Sequence, residues 1–308
     1  MEIAVYGSPS FYQKFADELA RRQFTDPVGR FDDLTPLSRR DIRVLFGWYM
    51  SQSAIDACPG LEWVQSAGAG VDWLEPLKLC PSVTVTRVVN QFGPDMSEYA
   101  LLAVLAWVKD WDRLKAQQQR REWRPFLVRR LSLLTVGILG AGSIGAHIAK
   151  VFRPLVAEVR ALGRKKPVLD GVNGYCSADW QDFYRDLDVL VMVVPSTPDT
   201  HHMVSHQALS LMKRGGFVVN MGRGAVLDIQ ALESAILRQH LGGAALDVFE
   251  TEPLPEESSL WDLRGVMVTP HISGPSRIEG MVDVFIENWR RFNQKMPMLG
   301  QIDWERGY

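Results

Sequence analysis

The stretch Val136-Gly137-Ile138-Leu139-Gly140-Ala141-Gly142-Ser143-Ile144-Gly145 constrains this chain more than any other. An apolar run, Leu134–Leu139, ends on Gly140, and a helical pattern, Ser143–Phe152, follows at once. Gly140, Gly142 and Gly145 therefore form G-x-G-x-x-G between a strand and a helix. Gly140 permits the tight turn, Gly142 lets a pyrophosphate approach the backbone, and Gly145 lets helix and strand pack closely. The free N–H groups of the helix start, at Ser143 and Ile144, together with the helix dipole, then hold phosphates. A plain glycine turn is the competing reading, and the strand–turn–helix context favours dinucleotide binding over it.

The rest of the chain alternates in the same manner. The companions expected of the glycine strand are apolar runs, and Val159–Leu162, Val189–Val194, Phe217–Asn220, Ala244–Val248 and Val266–Thr269 are such runs, with helical patterns at Ser205–Leu211 and Ile229–Gln239 between them. Six strands with helical crossovers predict a doubly wound parallel sheet. Before it, Ile3–Tyr6, Val44–Gly47, Trp63–Gln65 and Val83–Val85 read as buried parallel strands, with helices near Phe11–Arg21 and Ser51–Ala57. Gly93-Pro94 reads as a turn, and Ser97 as the cap of a long helix over Glu98–Gln119. Trp123–Leu131, with Pro125, reads as an irregular connector. The last helix, Ile278–Gln294, comes after the second sheet is complete and is expected to return to the first unit. The fold class is thus α/β, a Rossmann nucleotide domain plus a smaller, discontinuous, flavodoxin-like substrate domain. The expected boundaries are 1–98 with 278–308 for the substrate domain and 99–277 for the dinucleotide-binding domain.

Composition removes other classes. The 308 residues are 46% hydrophobic and 23% charged, which is ordinary for two globular domains. A formal net charge of −2 gives no basic field for nucleic acid. The three cysteines, Cys58, Cys80 and Cys176, have no metal-ligand or disulfide-framework spacing, so no metal is expected. No basic stretch and apolar h-region open the sequence, and no apolar run approaches the roughly 18 residues of a membrane span. A cytoplasmic protein is the default expectation.

The end of the strand after the glycines bears on which dinucleotide binds. An NAD site places Asp or Glu about 20 residues beyond the glycines, on the ribose 2′-hydroxyl. This chain instead reads Gly163-Arg164-Lys165-Lys166. Arg164 offers a planar fork to phosphate oxygens and Lys165 a point charge. An exposed basic turn is the bland alternative. The location favours NADP(H), with NAD(H) kept as the alternative.

The ordered series TVGILGAGSIG, VVPSTPDTHHMV, VVNMGRGAVLD, GGAALDVFETEPLP and VTPHISG resembles the D-isomer-specific 2-hydroxyacid dehydrogenases, and within them the glyoxylate/hydroxypyruvate reductase A branch. The resemblance implies a catalytic Arg, Glu and His, which fall by motif on Arg223, Glu252 and His271. Hydride attack on a ketone leaves charge on its oxygen, and an imidazole is suited to supply the proton near neutral pH. A carboxylate beside the imidazole keeps that acid loaded. A guanidinium grips the substrate carboxylate and stabilises the charge that develops. The resemblance also implies cofactor contacts at Pro195, Ser196, Thr200 and Met221, with Asp247 on the cofactor's side. It implies substrate contacts from backbone N–H groups of Ser66–Asp72, notably Ala69 and Gly70, which form an anion nest. Trp48 reads either as a wall of that pocket or as a core residue. Homodimers are usual in the family, and Trp123–Leu131 is a candidate contact.

These readings converge on a nicotinamide-dependent enzyme that reduces a small 2-oxo acid to its D-2-hydroxy acid. Two rivals are weighed against it. A formate-oxidising relative carries Gln at the position of Glu252, so Glu252 speaks against that activity. A nucleotide-sensing, corepressor-like binding module shares the fold, and fold alone does not exclude it. Gly163 in place of the usual acid, Met96-Ser97-Glu98, and the segment Ile272–Arg277 depart from the common family pattern and leave the identity of the preferred acid open.

Overall fold

A computed structural model of the chain describes residues 2–74 and 76–303. It divides the chain into two compact units, Met1–Gln91 with Ser276–Tyr308, and Phe92–Pro275. Sequence reasoning placed the crossings at 98/99 and 277/278.

In the first unit, β1 (Ile3–Tyr6), β2 (Val28–Arg30), β3 (Val44–Gly47), β4 (Trp63–Ser66) and β5 (Thr84–Arg87) form one parallel sheet in the order β2-β1-β3-β4-β5. That order is the flavodoxin type of double winding. One sheet face carries an aromatic core. Phe46 stacks on Phe15 at 4.3 Å, and Phe285 stands against Phe15, Phe46 and Trp63 at 5.4–5.5 Å. Phe15 belongs to the helix Pro9–Arg21, and Phe285 to the returning helix Ile278–Asn293. The return is locked by polar groups as well. Trp63 Nε1 donates to Thr86 Oγ1 (2.7 Å), Thr86 Oγ1 to Gln65 Oε1 (2.7 Å), and Asn288 Nδ2 to the same oxygen (3.0 Å). All four side chains are buried, so each bond replaces a water that cannot reach them.

In the second unit, β6 (Thr135–Leu139), β7 (Glu158–Leu162), β8 (Asn173–Tyr175), β9 (Val189–Met192), β10 (Gly216–Asn220), β11 (Leu241–Leu246) and β12 (Val266–Val268) form a second parallel sheet. Its order is β12-β11-β10-β9-β6-β7-β8, the Rossmann winding with one added strand. Its central strands are buried on both faces, which is why they read as continuous apolar runs. The fold class is the one expected from the sequence.

Several local expectations need correction. β2 and β8 were not foreseen. Each has three residues with glycine in the middle, so neither shows an apolar run or a period of two. The expected single helix over Glu98–Gln119 is two helices, Phe92–Val108 and Trp111–Gln119, broken where Asp110 takes φ +52°. Gly93-Pro94 is not a turn but the first turn of the former, where a missing proline N–H costs nothing. Gly93 sits so close to His147 that a Cβ there would lie 2.9 Å from the histidine's own. Ser97 is not a cap. It is buried within the helix, where its hydroxyl donates to Gly93 O (2.6 Å) and accepts from His147 Nδ1 (2.9 Å). Residues 121–130 form no regular element, and Arg129 ties them down over the Trp107 ring at 4.3 Å and to Gly215 O at 3.0 Å. No helix among the described residues is long and apolar enough to cross a membrane.

Candidate active site

Three candidate site residues stand at the C-terminal ends of three neighbouring strands of the second sheet. Arg223 follows β10, Glu252 follows β11 and His271 follows β12. Open α/β sheets place ligands at this end.

Arg223 leaves its strand through a buried clamp. The Asn220 side chain, fully buried, accepts Gly222 N–H (3.2 Å) and donates to Arg223 O (3.0 Å). A Cβ on Gly222 would come within 2.7 Å of Val194 O, and one on Gly224 would run into the backbone of Phe249 and Glu250. The arginine turn is thus pressed directly onto the segment that carries Glu252. Arg223 is half-buried, and its Nη1 donates to Gly222 O at 2.8 Å.

Glu252 is held at both oxygens. Oε1 accepts Phe249 N–H at 2.9 Å, and Oε2 meets His271 Nδ1 at 2.8 Å. A carboxylate that accepts from Nδ1–H leaves Nε2 as the ring nitrogen that Glu252 does not engage. Both side chains are partly open to solvent, His271 at 51% and Glu252 at 37%, so the pair adds little to stability.

His271 itself sits at φ +54°, a left-handed conformation that a non-glycine residue adopts only when its surroundings impose it. Asp247 imposes it. Its backbone carbonyl accepts His271 N–H (2.9 Å). Its fully buried carboxylate takes Thr269 Oγ1–H (2.6 Å), Ile272 N–H (2.9 Å) and Ser273 N–H (2.8 Å). Tyr99 O–H completes the chain by donating to Thr269 Oγ1 at 2.6 Å, and burial pushes this phenol up to about 12, so it stays a neutral donor. Asp247 thus anchors the loop that carries His271. A second pair lies beside the first: His202 Nε2 meets Glu250 Oε1 at 2.6 Å, while His202 N–H reaches Ala225 O. Sequence reasoning missed Asn220, Thr269 and this pair. A polar Asn closing the apolar run Phe217–Val219 was the one signal available.

The glycine turn has the shape its pattern requires. Gly140 stands at φ +106°. Any Cβ on Gly145 would strike Gly140 O, whereas a Cβ on Gly142 would meet nothing within 4 Å. Gly142 thus faces open space at the cap of the helix Ser143–Phe152, the place where a dinucleotide's phosphates would rest. Ser143 is exposed and Ile144 half-buried at that helix start. Gly163 lies against Ala141, with a Cβ there 3.5 Å from the alanine's, so the exposed Arg164 and Lys165 come to the rim of the same turn. Thr200 Oγ1 donates to Pro195 O (2.7 Å) and accepts Thr197 N–H (2.8 Å), closing the loop that holds Ser196. Met221 is buried, its N–H on Met192 O. Trp48, Ala69 and Gly70 belong to the first unit, after β3 and β4.

The D-isomer specific 2-hydroxyacid dehydrogenase NAD binding domain matches residues 101–273. The chain belongs to the D-isomer specific 2-hydroxyacid dehydrogenase family. It is accordingly an oxidoreductase with a nicotinamide dinucleotide-binding Rossmann domain. Glyoxylate/hydroxypyruvate reductase A of Klebsiella pneumoniae is 32% identical over 256 residues, which span 80% of this chain and 82% of that one. A family structure from Xanthobacter autotrophicus Py2, in complex with NADPH and MES, superposes with TM-score 0.91 at 29% identity, over 100% of this chain and 99% of that chain. The NADPH-dependent glyoxylate/hydroxypyruvate reductase of Sinorhizobium meliloti, in complex with NADP and sulfate, superposes with TM-score 0.91 at 28% identity, over the full length of both.

Proposed function

We propose that this dehydrogenase reduces a small 2-oxo acid of the glyoxylate or hydroxypyruvate type to its D-2-hydroxy acid, with NADPH as the preferred donor and NADH as the weaker alternative. The observation that carries this reading is the Glu252–His271 pair at 2.8 Å, on the strand ends next to Arg223. Reduced nicotinamide, when bound, supplies the hydride. His271 gives its Nε2 proton to the ketone oxygen and is left neutral, with Nδ1–H still on Glu252. Arg223 neutralises the substrate carboxylate and the oxygen's growing charge.

In this reading the first unit is the substrate domain and the second the dinucleotide-binding domain. The open approach at Gly142 admits the pyrophosphate, and Pro195, Ser196, Thr200 and Met221 line the cofactor's path. Arg164 and Lys165 receive a 2′-phosphate, a choice supported by the NADP complexes of the relatives. Ala69 and Gly70 N–H groups, with Trp48 beside them, take the substrate carboxylate. The exposed apolar Trp123 (93%) and Leu127 (100%) favour a homodimer through the connector, whose expected signature is sedimentation at twice the chain mass. A cytoplasmic location accompanies this reading.

Loss of NADPH absorbance on adding glyoxylate or hydroxypyruvate tests the activity directly. His271→Ala and Arg223→Ala should each lower turnover by about a hundredfold or more while NADPH still binds. Near-wild-type rates in either variant would refute the assigned role. Arg164→Ala should weaken NADPH far more than NADH, and equal losses would remove the case for the 2′-phosphate.

A further inference from the structure

The loop after β4 shows an asymmetry between its carbonyls and its amides. Gly68 O accepts Val88 N–H at 3.0 Å. Ala69 O accepts Arg87 Nη1 in a long, charge-assisted contact of 3.5 Å. Gly70 O accepts the Ser66 hydroxyl at 3.3 Å, and Val71 O accepts Leu74 N–H at 2.8 Å. The same Ser66 oxygen receives Gly68 N–H at 3.3 Å. Four consecutive carbonyls are therefore held. Among the described residues, the N–H groups of Ala69, Gly70 and Val71 donate to no protein acceptor.

Ser66 and Arg87 are register partners on the adjacent parallel strands β4 and β5, so their side chains rise on the same side of the sheet. Within a trans peptide the C=O and N–H point in opposite directions. Holding the carbonyls of Gly68, Ala69 and Gly70 thus turns the next three amides the other way, as a row of donors. Trp48 closes one flank, since a Cβ on Gly68 would lie 2.7 Å from its Nε1.

We propose that Arg87 and Ser66 are positioning residues that aim the amides of Gly70 and Val71, beside the Ala69 amide set by Val88, at the carboxylate of a 2-oxo acid. This rests on the functional reading above. Neither side chain needs to touch the substrate: each acts through a peptide whose direction it sets.

The test measures KM and kcat for glyoxylate, NADPH affinity, and calorimetric binding of oxalate to the NADPH-loaded chain, in wild type, Arg87→Met, Arg87→Lys and Ser66→Ala. Arg87→Met should raise both the glyoxylate KM and the oxalate Kd by about tenfold, with kcat and NADPH affinity held within about twofold. Arg87→Lys should recover part of the loss, and Ser66→Ala should show a smaller rise in the same two quantities. Unchanged oxalate and glyoxylate values in Arg87→Met, equal losses in Met and Lys, or a parallel loss of NADPH affinity would each overturn the proposal. A wild-type chain that reduces no 2-oxo acid would sink the functional reading. The oxalate titration would still decide the present one, upheld if Arg87→Met weakens binding and overturned if wild type binds none.

Discussion

At the scale of single residues, the candidate site is held by buried side chains behind it. Asn220 is the sharpest case, because its amide serves the N–H of Gly222 and the carbonyl of Arg223 at once, in full burial. Asn220→Ala leaves the buried Gly222 N–H unpaired, while Arg223 O keeps the Val226 N–H at 3.3 Å, and should cost about 1–3 kcal/mol. A urea titration should show the midpoint fall, and an unchanged midpoint would mean that the turn re-pairs by itself. The candidates Arg223, Glu252 and His271 were reached through an ordered set of motifs, and each stands just past the end of a strand. The partners of Asp247 were not legible in the sequence. Thr269, Ile272 and Ser273 lie on the far side of β12, and only the folded sheet brings their donors to one carboxylate. Likewise the Ser66–Arg87 pairing exists only through the register of two strands.

At the scale of elements, the glycine turn separates two jobs that its pattern merges. Gly145 is needed by the fold, since any side chain there meets the carbonyl of Gly140. Gly142 is not, since a Cβ at that position meets nothing within 4 Å and its φ of −72° suits any residue. Gly145→Ala should therefore lower the Tm of the cofactor-free protein. Gly142→Ala should leave that Tm nearly unchanged and weaken NADPH binding by about tenfold, by crowding the phosphates. Equal Tm losses in the two variants would show that Gly142 is also structural. The long buried strands and the helix Ser143–Phe152 were readable from periodicity because burial on two faces, or on one stripe, dictates it. β2, β8 and the break at Asp110 were not, because three-residue edge strands and a single left-handed residue are decided by neighbours distant in sequence.

At the scale of the whole molecule, titration sets limits on stability at both ends of the pH range. The Arg290 and Arg291 guanidiniums pull Glu287 from its ordinary 4.5 down to about 2. Arg43 holds Glu62, and Arg160 holds Glu158, below the usual carboxylate range. Each of these groups binds its proton less readily folded than unfolded. Their support is present above the unfolded value and fades as pH falls from about 4.5 toward 2, modestly because the pairs lie near solvent. Tyr99 works in the opposite sense: burial raises it from 10 to about 12, so the unfolded chain releases that proton first and support fades as pH rises from 10. Thermal denaturation across pH should give a plateau that slopes down at both ends. A Tm that climbed below pH 4.5 would contradict the acid limb.

The discontinuity of the first unit has a consequence for synthesis. Its aromatic core is completed by Phe285, and its buried polar chain by Asn288, both on the helix Ile278–Asn293. A ribosome delivers these keystones only after the entire second unit, Phe92–Pro275, has emerged. The earlier-made sheet must wait with Trp63 lacking its ring partners Phe285 and Phe292, and Phe46 covered by Phe15 but not by Phe285, while the later-made one folds. A nascent chain stalled before residue 276 is thus expected to be protease-resistant in its younger portion and vulnerable in its older one, the reverse of the order in which they were made.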